Sequence, residues 1–168
     1  MVSSLRRLSD GADRVARILL VPIGIAFILV VFLGVLTRYV FQAPIITSVE
    51  LARIGFSWAA FLGAAICLKQ EKHTRFLFLL DRLAGRARAA VLLVIDLISL
   101  GFFVLLILKG LQMVQAVRET FFPALGWSQL WLYLPLPMAA GFMVLHTLAF
   151  LARDARALRQ RGGEEARP

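Results

Sequence analysis

Apolar residues fall into four long blocks separated by short polar bursts. From Ile18 to Thr37 there is no charged residue, a run of 20 positions bounded by Arg17 and Arg38. An α-helix rising 1.5 Å per residue covers about 30 Å over that length, the thickness of a bilayer's hydrocarbon core. The second block, Ile54 to Leu68, has 15 residues and reaches spanning length once Glu50, Leu51, Ala52 and Arg53 add a first turn at the interface. Glu50 and Arg53, three apart, can face each other there. Ala89 to Leu108 is the third block, with Asp96 about two turns from its start. The fourth opens in "FFPALGWSQLWLYLPLP" and runs to about Leu151, where Pro135 and Pro137 should kink it or delay regular hydrogen bonding. The pattern predicts an all-α membrane protein with spans near 18–37, 50–68, 89–108 and 129–151. They form one domain over 1–160, followed by a disordered tail at 161–168.

The polar bursts have patterns of their own. Ser4 to Arg17 sets Leu5, Leu8, Ala12 and Val15 at helical spacing between arginines, and His73 to Leu83 sets Phe76, Leu79, Leu80 and Leu83 against Arg75, Asp81 and Arg82. Each fits a short amphipathic helix lying on the membrane surface, or a plain extension of a span. The second span is small-sided, with Gly55, Ser57, Ala59, Ala60, Gly63, Ala64 and Ala65, which suits close helix packing. Fifteen of the 19 Lys and Arg lie in the two termini and the second loop, and four lie in the other two loops. The positive-inside rule therefore places both termini in the cytoplasm, with Trp127, Trp131 and Tyr133 in an aromatic belt at the outer interface. The first apolar run is longer than a signal peptide's and no small-x-small site follows it, so it is expected to be a retained span.

Composition sharpens this reading. Hydrophobic residues make up 60% of the chain and mean hydropathy is +0.82. A net charge of +9 could suggest nucleic acid. The basic residues flank apolar spans instead of forming a soluble patch, so anionic lipid headgroups are the expected counter-charges. Cys67 is the single cysteine, which rules out an internal disulfide and leaves no Cys/His metal framework.

Few residues invite chemistry. Asp96 is an acid at membrane depth, readable as a proton or ion ligand or as a structural acid satisfied by a basic side chain or by Ser99. His73 and His146 would have to face each other at membrane depth to hold a haem, and His73 lies outside the apolar run. His146 is expected to hydrogen-bond between helices. No nucleophile elbow and no phosphate-binding glycine loop occurs. The stretch "GAAICLKQEKHTRF" (63–76) marks the boundary where the second span meets the cytoplasm.

Several features recur in an order known from one family. "RYVF" (Arg38, Tyr39, Val40, Phe41) closes the first span, and Glu50 leads into "ELAR" ending at Arg53. Trp58, "FLGAA" containing Gly63, and a basic stretch ending at His73 follow, before a Pro/aromatic approach to the last span. The chain, over about residues 14–155, resembles the DctQ-type small membrane subunit of tripartite ATP-independent periplasmic (TRAP) transporters. Such sequences often carry Asn-x-Pro after the aromatic residue, where this chain has Gln42-Ala43-Pro44.

The resemblance implies a non-catalytic subunit of the bacterial inner membrane, bracing a large TRAP membrane subunit. A periplasmic solute-binding protein would deliver an organic acid, and the large subunit would bind the substrate and the sodium ions that drive uptake. This chain would hold no cofactor. Structural or interface roles would fall to Arg38, Tyr39, Glu50, Arg53, Trp58, Gly63, His73 and Asp96. A stand-alone four-helix proton-coupled carrier using Asp96 is the alternative.

Overall fold

The computed structural model describes residues 2–70 and 85–164, with side chains over 7–70 and 90–152. The order is α1 (Val2–Tyr39), α2 (Ile46–Gln70), α3 (Gly85–Ala116), a single helical turn α4 (Leu130–Tyr133) and α5 (Pro135–Glu164). Four stretches are long and apolar enough to cross a membrane: Arg7–Tyr39, Ile46–Gln70, Ala90–Ala116 and Leu130–Ala152. No strand is formed among the described residues; the one β-type pairing is an isolated bridge between Phe121 and Ser128.

The helix boundaries differ from the hydropathy pattern in instructive ways. α1 is one helix of 38 residues, about 57 Å long at 1.5 Å per residue. Ser4 to Arg17 therefore extends the first span and does not form a separate interfacial helix. Asp13 and Arg17, one turn apart, pair at 3.0 Å on this extension and support it. Pro22 lies inside α1 without ending it. α3 continues to Ala116, well past the expected end at Leu108, and Lys109 is accommodated by turning its ammonium to Gln112 Oε1 at 3.2 Å. α5 reaches Glu164, into the segment expected as tail. The expected surface helix at 73–83 lies outside the described residues.

α2 and α5 are the inner pair. α1 packs on both of them, α3 packs chiefly on α5, and α1 and α3 stand on opposite sides. Small side chains make this possible: Ala16, Ala65 and Ala139 are fully buried where three helices meet. Ala16, Leu62 and Ile66 form one buried cluster, backed by Leu19, Ile23, Trp58 and Phe142; Ala65, Ala139 and Met143 form another. The closest approaches occur at glycines elsewhere. A Cβ on Gly110 would stand 3.0 Å from the Pro137 ring, and one on Gly34 would stand 2.9 Å from Ser48 Oγ. At Gly63 a Cβ would meet nothing within 4 Å, so that glycine is not a close contact inside this chain.

The α1–α2 turn holds one residue in a conformation its side chain disfavours. Gln42 has φ of 53°, and the Ala43 N–H closes back on Thr37 O at 3.0 Å. Left-handed backbone costs an ordinary L-residue roughly 1–2 kcal/mol, and asparagine or glycine much less. Gln42→Asn is expected to stabilise the detergent-purified protein by about 0.5–1 kcal/mol, read as a raised thermal midpoint. An unchanged or lowered midpoint would refute the strain.

Candidate functional site

The polar side chains gather at the two ends of the bundle, and at each end they tie helices together.

At the first end lie the α1–α2 turn and the α3–α4 loop. That loop folds back on itself: Phe122 N–H donates to Trp127 O at 2.8 Å and Gln129 N–H to Thr120 O at 2.8 Å. Gly126, at φ 68°, makes the reversal that a side chain would strain. The turn leaves the N–H groups of Ala124 and Leu125 pointing the same way. Glu50, in the first turns of α2, accepts both, from Ala124 N at 3.1 Å and Leu125 N at 2.7 Å. A carboxylate across two adjacent amides makes charge-assisted bonds stronger than neutral ones. Glu50 is thus a clamp between α2 and the loop. It makes no ion pair with Arg53, contrary to the facing pair that their spacing allowed, because both of its oxygens are engaged by backbone donors.

Two turns further along α2 a second tie appears. Trp58 Nε1 donates to Trp131 O at 2.9 Å, and Ser57 Oγ donates to Leu132 O at 2.7 Å. The position of Trp131 explains the first bond. Its carbonyl would ordinarily accept the N–H four residues on, but that residue is Pro135, which has none. At membrane depth no bulk water can take its place. Trp58 supplies the missing donor from another helix, so the break between α4 and α5 is hydrogen-bonded despite the proline.

The opposite end carries a network that sequence reasoning missed, apart from His146. His146 is fully buried on α5 and its Nδ1 lies 2.7 Å from Ser9 Oγ on α1, the interhelical bond expected of it. Lys69, at the end of α2, reaches Ser9 O at 3.2 Å, Asp10 Oδ1 at 2.9 Å and Asp13 Oδ2 at 3.5 Å. Three helices are thereby fastened through Ser9, Asp13, Lys69 and His146. The signal was present in Asp10, Asp13 and Arg17 spaced along one helical face, but it could be used only once Ser4 to Arg17 was known to continue the span.

Asp96 is the acid of the third span. It is fully buried on α3, six residues beyond the start of the spanning stretch at Ala90. Ser99 does not satisfy it, since its hydroxyl donates to Ile95 O at 2.8 Å. Among the described residues no three His, Cys, Asp or Glu come together in a metal-binding arrangement. Arg38, Tyr39 and Arg53 are exposed, and His73 lies outside the described residues. The structure therefore brings Glu50, Arg38, Tyr39 and Arg53 toward one end of the bundle, sets Trp58 at the middle of α2, and leaves Gly63 and Asp96 apart from them.

A membrane bundle whose polar groups fasten its own helices is a scaffold in character, and sequence comparison names the scaffold. Residues 27–157 match the profile of the DctQ component of tripartite ATP-independent periplasmic transporters. The chain belongs to this DctQ family. Its relatives include the sialic acid TRAP transporter small permease protein SiaQ of Vibrio cholerae, 31% identical over 146 residues, which cover 86% of this chain and 83% of that one. A putative TRAP transporter small permease protein of Haemophilus influenzae is 28% identical over 125 residues, 74% of this chain and 78% of the relative. The sialic acid TRAP transporter permease protein SiaT of Haemophilus influenzae is 28% identical over 113 residues; these are 66% of this chain but 18% of that much longer protein. The DctQ protein described here is thus a multi-pass transporter subunit and not an enzyme.

Proposed function

We propose that this chain is the small permease subunit that braces the large membrane subunit of a sodium-driven TRAP importer for an organic acid. The observation that carries the reading is the match to SiaT: a segment similar to two thirds of this chain forms 18% of a long permease polypeptide. A small subunit that occurs joined to a larger permease in a relative is a subunit built to stay beside one. The fastened bundle supports the same role, because a brace must hold its shape while its partner moves. Sodium and the acid are assigned to the large subunit, and capture of the acid to a periplasmic solute-binding protein. Two of the relatives are named for sialic acid, itself a carboxylic acid, in keeping with an acid substrate. The reading places the chain in the bacterial inner membrane with both termini cytoplasmic, an orientation supported by the distribution of its basic residues.

The test is co-expression with the large permease and purification through a tag on this chain in mild detergent. The two should elute together in fixed ratio, and sodium-dependent uptake of the acid into liposomes should need both chains and the binding protein. Elution of this chain alone would refute the brace. Proton-coupled transport by the isolated chain, abolished in Asp96→Asn, would instead establish the stand-alone carrier.

A further inference from the structure

A groove of about 420 Å³ runs between α1 and α2, and its walls include Phe27, Val31, Val35 and Phe56 together with Arg38 and Arg53. The two arginines are what make it more than an apolar crease. Among the described residues neither guanidinium has a hydrogen bond or ion pair. Glu50, the acid nearest Arg53 in sequence, has both oxygens on loop amides. Arg38 stands in the last turn of α1, at the interface. Arg53 stands seven residues inside α2, about 10 Å from the helix start, where an exposed cation is costly unless it reaches an anion or the interface. One arginine thus approaches the groove at its rim and the other from deeper in the membrane.

The dimensions of the groove indicate what kind of anion belongs there. From Phe27 to Arg38 is eleven residues, about 16 Å of helix, close to half of a ~30 Å hydrocarbon core. The groove is one leaflet deep, with Arg38 at its rim and Arg53 on the facing wall, two residues rimward of the Gly55 that meets Phe27; the Arg53 side chain tilts toward the N-terminus of α2 and so toward the rim. A transmembrane helix of a partner would need a surface running the full thickness and would be about 10–12 Å wide. A single acyl chain with its phosphate matches the depth and the pairing of apolar walls with two basic side chains. Only four basic residues belong to this end of the chain by sequence, Arg38, Arg53, Lys109 and Arg118, and two of them line this one groove.

We infer that the α1–α2 groove binds an anionic phospholipid, its phosphate held between Arg38 and Arg53 and one acyl chain lying along Val35, Val31, Phe27 and Phe56. The full chain, purified in detergent, is titrated with phosphatidylglycerol and with phosphatidylcholine of the same acyl length, and retained lipid is read by native mass spectrometry. Phosphatidylglycerol should be retained at least tenfold better. Arg38→Gln and Arg53→Gln should each lower its retention about fivefold, the scale of one basic residue at an anionic lipid surface, and Val35→Trp should displace both lipids. Glycerol phosphate without acyl chains should not bind. If the double Gln variant loses helicity, the Lys pair carries the test and should keep the preference within about twofold. Equal retention of the two lipids, or undiminished phosphatidylglycerol in the double variant, overturns the site. So does cross-linking of a cysteine at Val31, in a Cys67→Ala background, to the co-expressed large permease, which would make the groove a seat for protein.

Discussion

Replacing Glu50 with alanine is expected to destabilise the bundle by about 2–3 kcal/mol. Hydrogen bonds to a charged group contribute roughly 1.5–3 kcal/mol each; two are lost here, and access of water to a half-buried site recovers part of the difference. For a chain of this size the thermal midpoint in detergent should fall by roughly 4–12 °C. The loop should loosen before the spans do, so the amides of Ala124 and Leu125 should exchange with solvent faster than those of α2. Glu50→Gln should rescue little, because a carboxamide turns one NH₂ toward a backbone donor. Because the same loop carries the exposed Trp127 and Phe121, assembly with the large permease should weaken in parallel. A wild-type midpoint together with wild-type exchange at both amides would remove the clamp from consideration.

Trp58→Ala should cost more, about 3–5 kcal/mol, since a large side chain packed against the Leu62–Ile66 cluster is lost along with its hydrogen bond. Trp58→Phe separates the two contributions. It keeps most of the packing and removes only the donor to Trp131 O, at a cost of about 1–3 kcal/mol for a carbonyl left without a partner. The decisive measurement is a double-mutant cycle with Pro135→Ala. Alanine at 135 restores the backbone N–H that Trp131 O lacks, so Trp58→Phe should cost clearly less in that background. Equal costs in the two backgrounds would mean that Trp58 acts by packing alone.

The four spans were legible because uncharged runs of membrane length are a one-dimensional signal, and Ile18 to Thr37 needed no partner to be read. Boundaries were less so. A polar helical extension and an interfacial helix share one periodicity, so Ser4 to Arg17 fitted either until it proved continuous with α1. Glu50 was singled out by its place in a motif, but its task was hidden. Spacing pointed to Arg53 three residues away, and the actual partners are loop amides more than 70 residues on. Trp58 was half legible: Pro135 announces that residue 131 has an unclaimed carbonyl, but which donor would claim it depends on how α2 and α4 meet in space. Ser9, Asp13 and Lys69 carried little signal because each is common at a membrane boundary, and only convergence of three helix ends on His146 sets them apart. Asp96 was visible at once, and the fold removed one candidate for satisfying it, Ser99.

Fastening at both ends has a mechanical consequence. α2 is joined to the approach to α5 through Glu50 near its start and through Trp58 at its middle. At its far end, α1, α2 and α5 are joined through Ser9, Lys69 and His146. A helix pinned to its neighbours at well-separated heights cannot slide along them by a turn. When the surrounding bilayer thins or thickens, this bundle cannot answer by letting single helices ride up or down, so it must lean as one body or deform the lipid around it. Its tilt then becomes a gauge of membrane thickness, passed whole to whatever stands beside it.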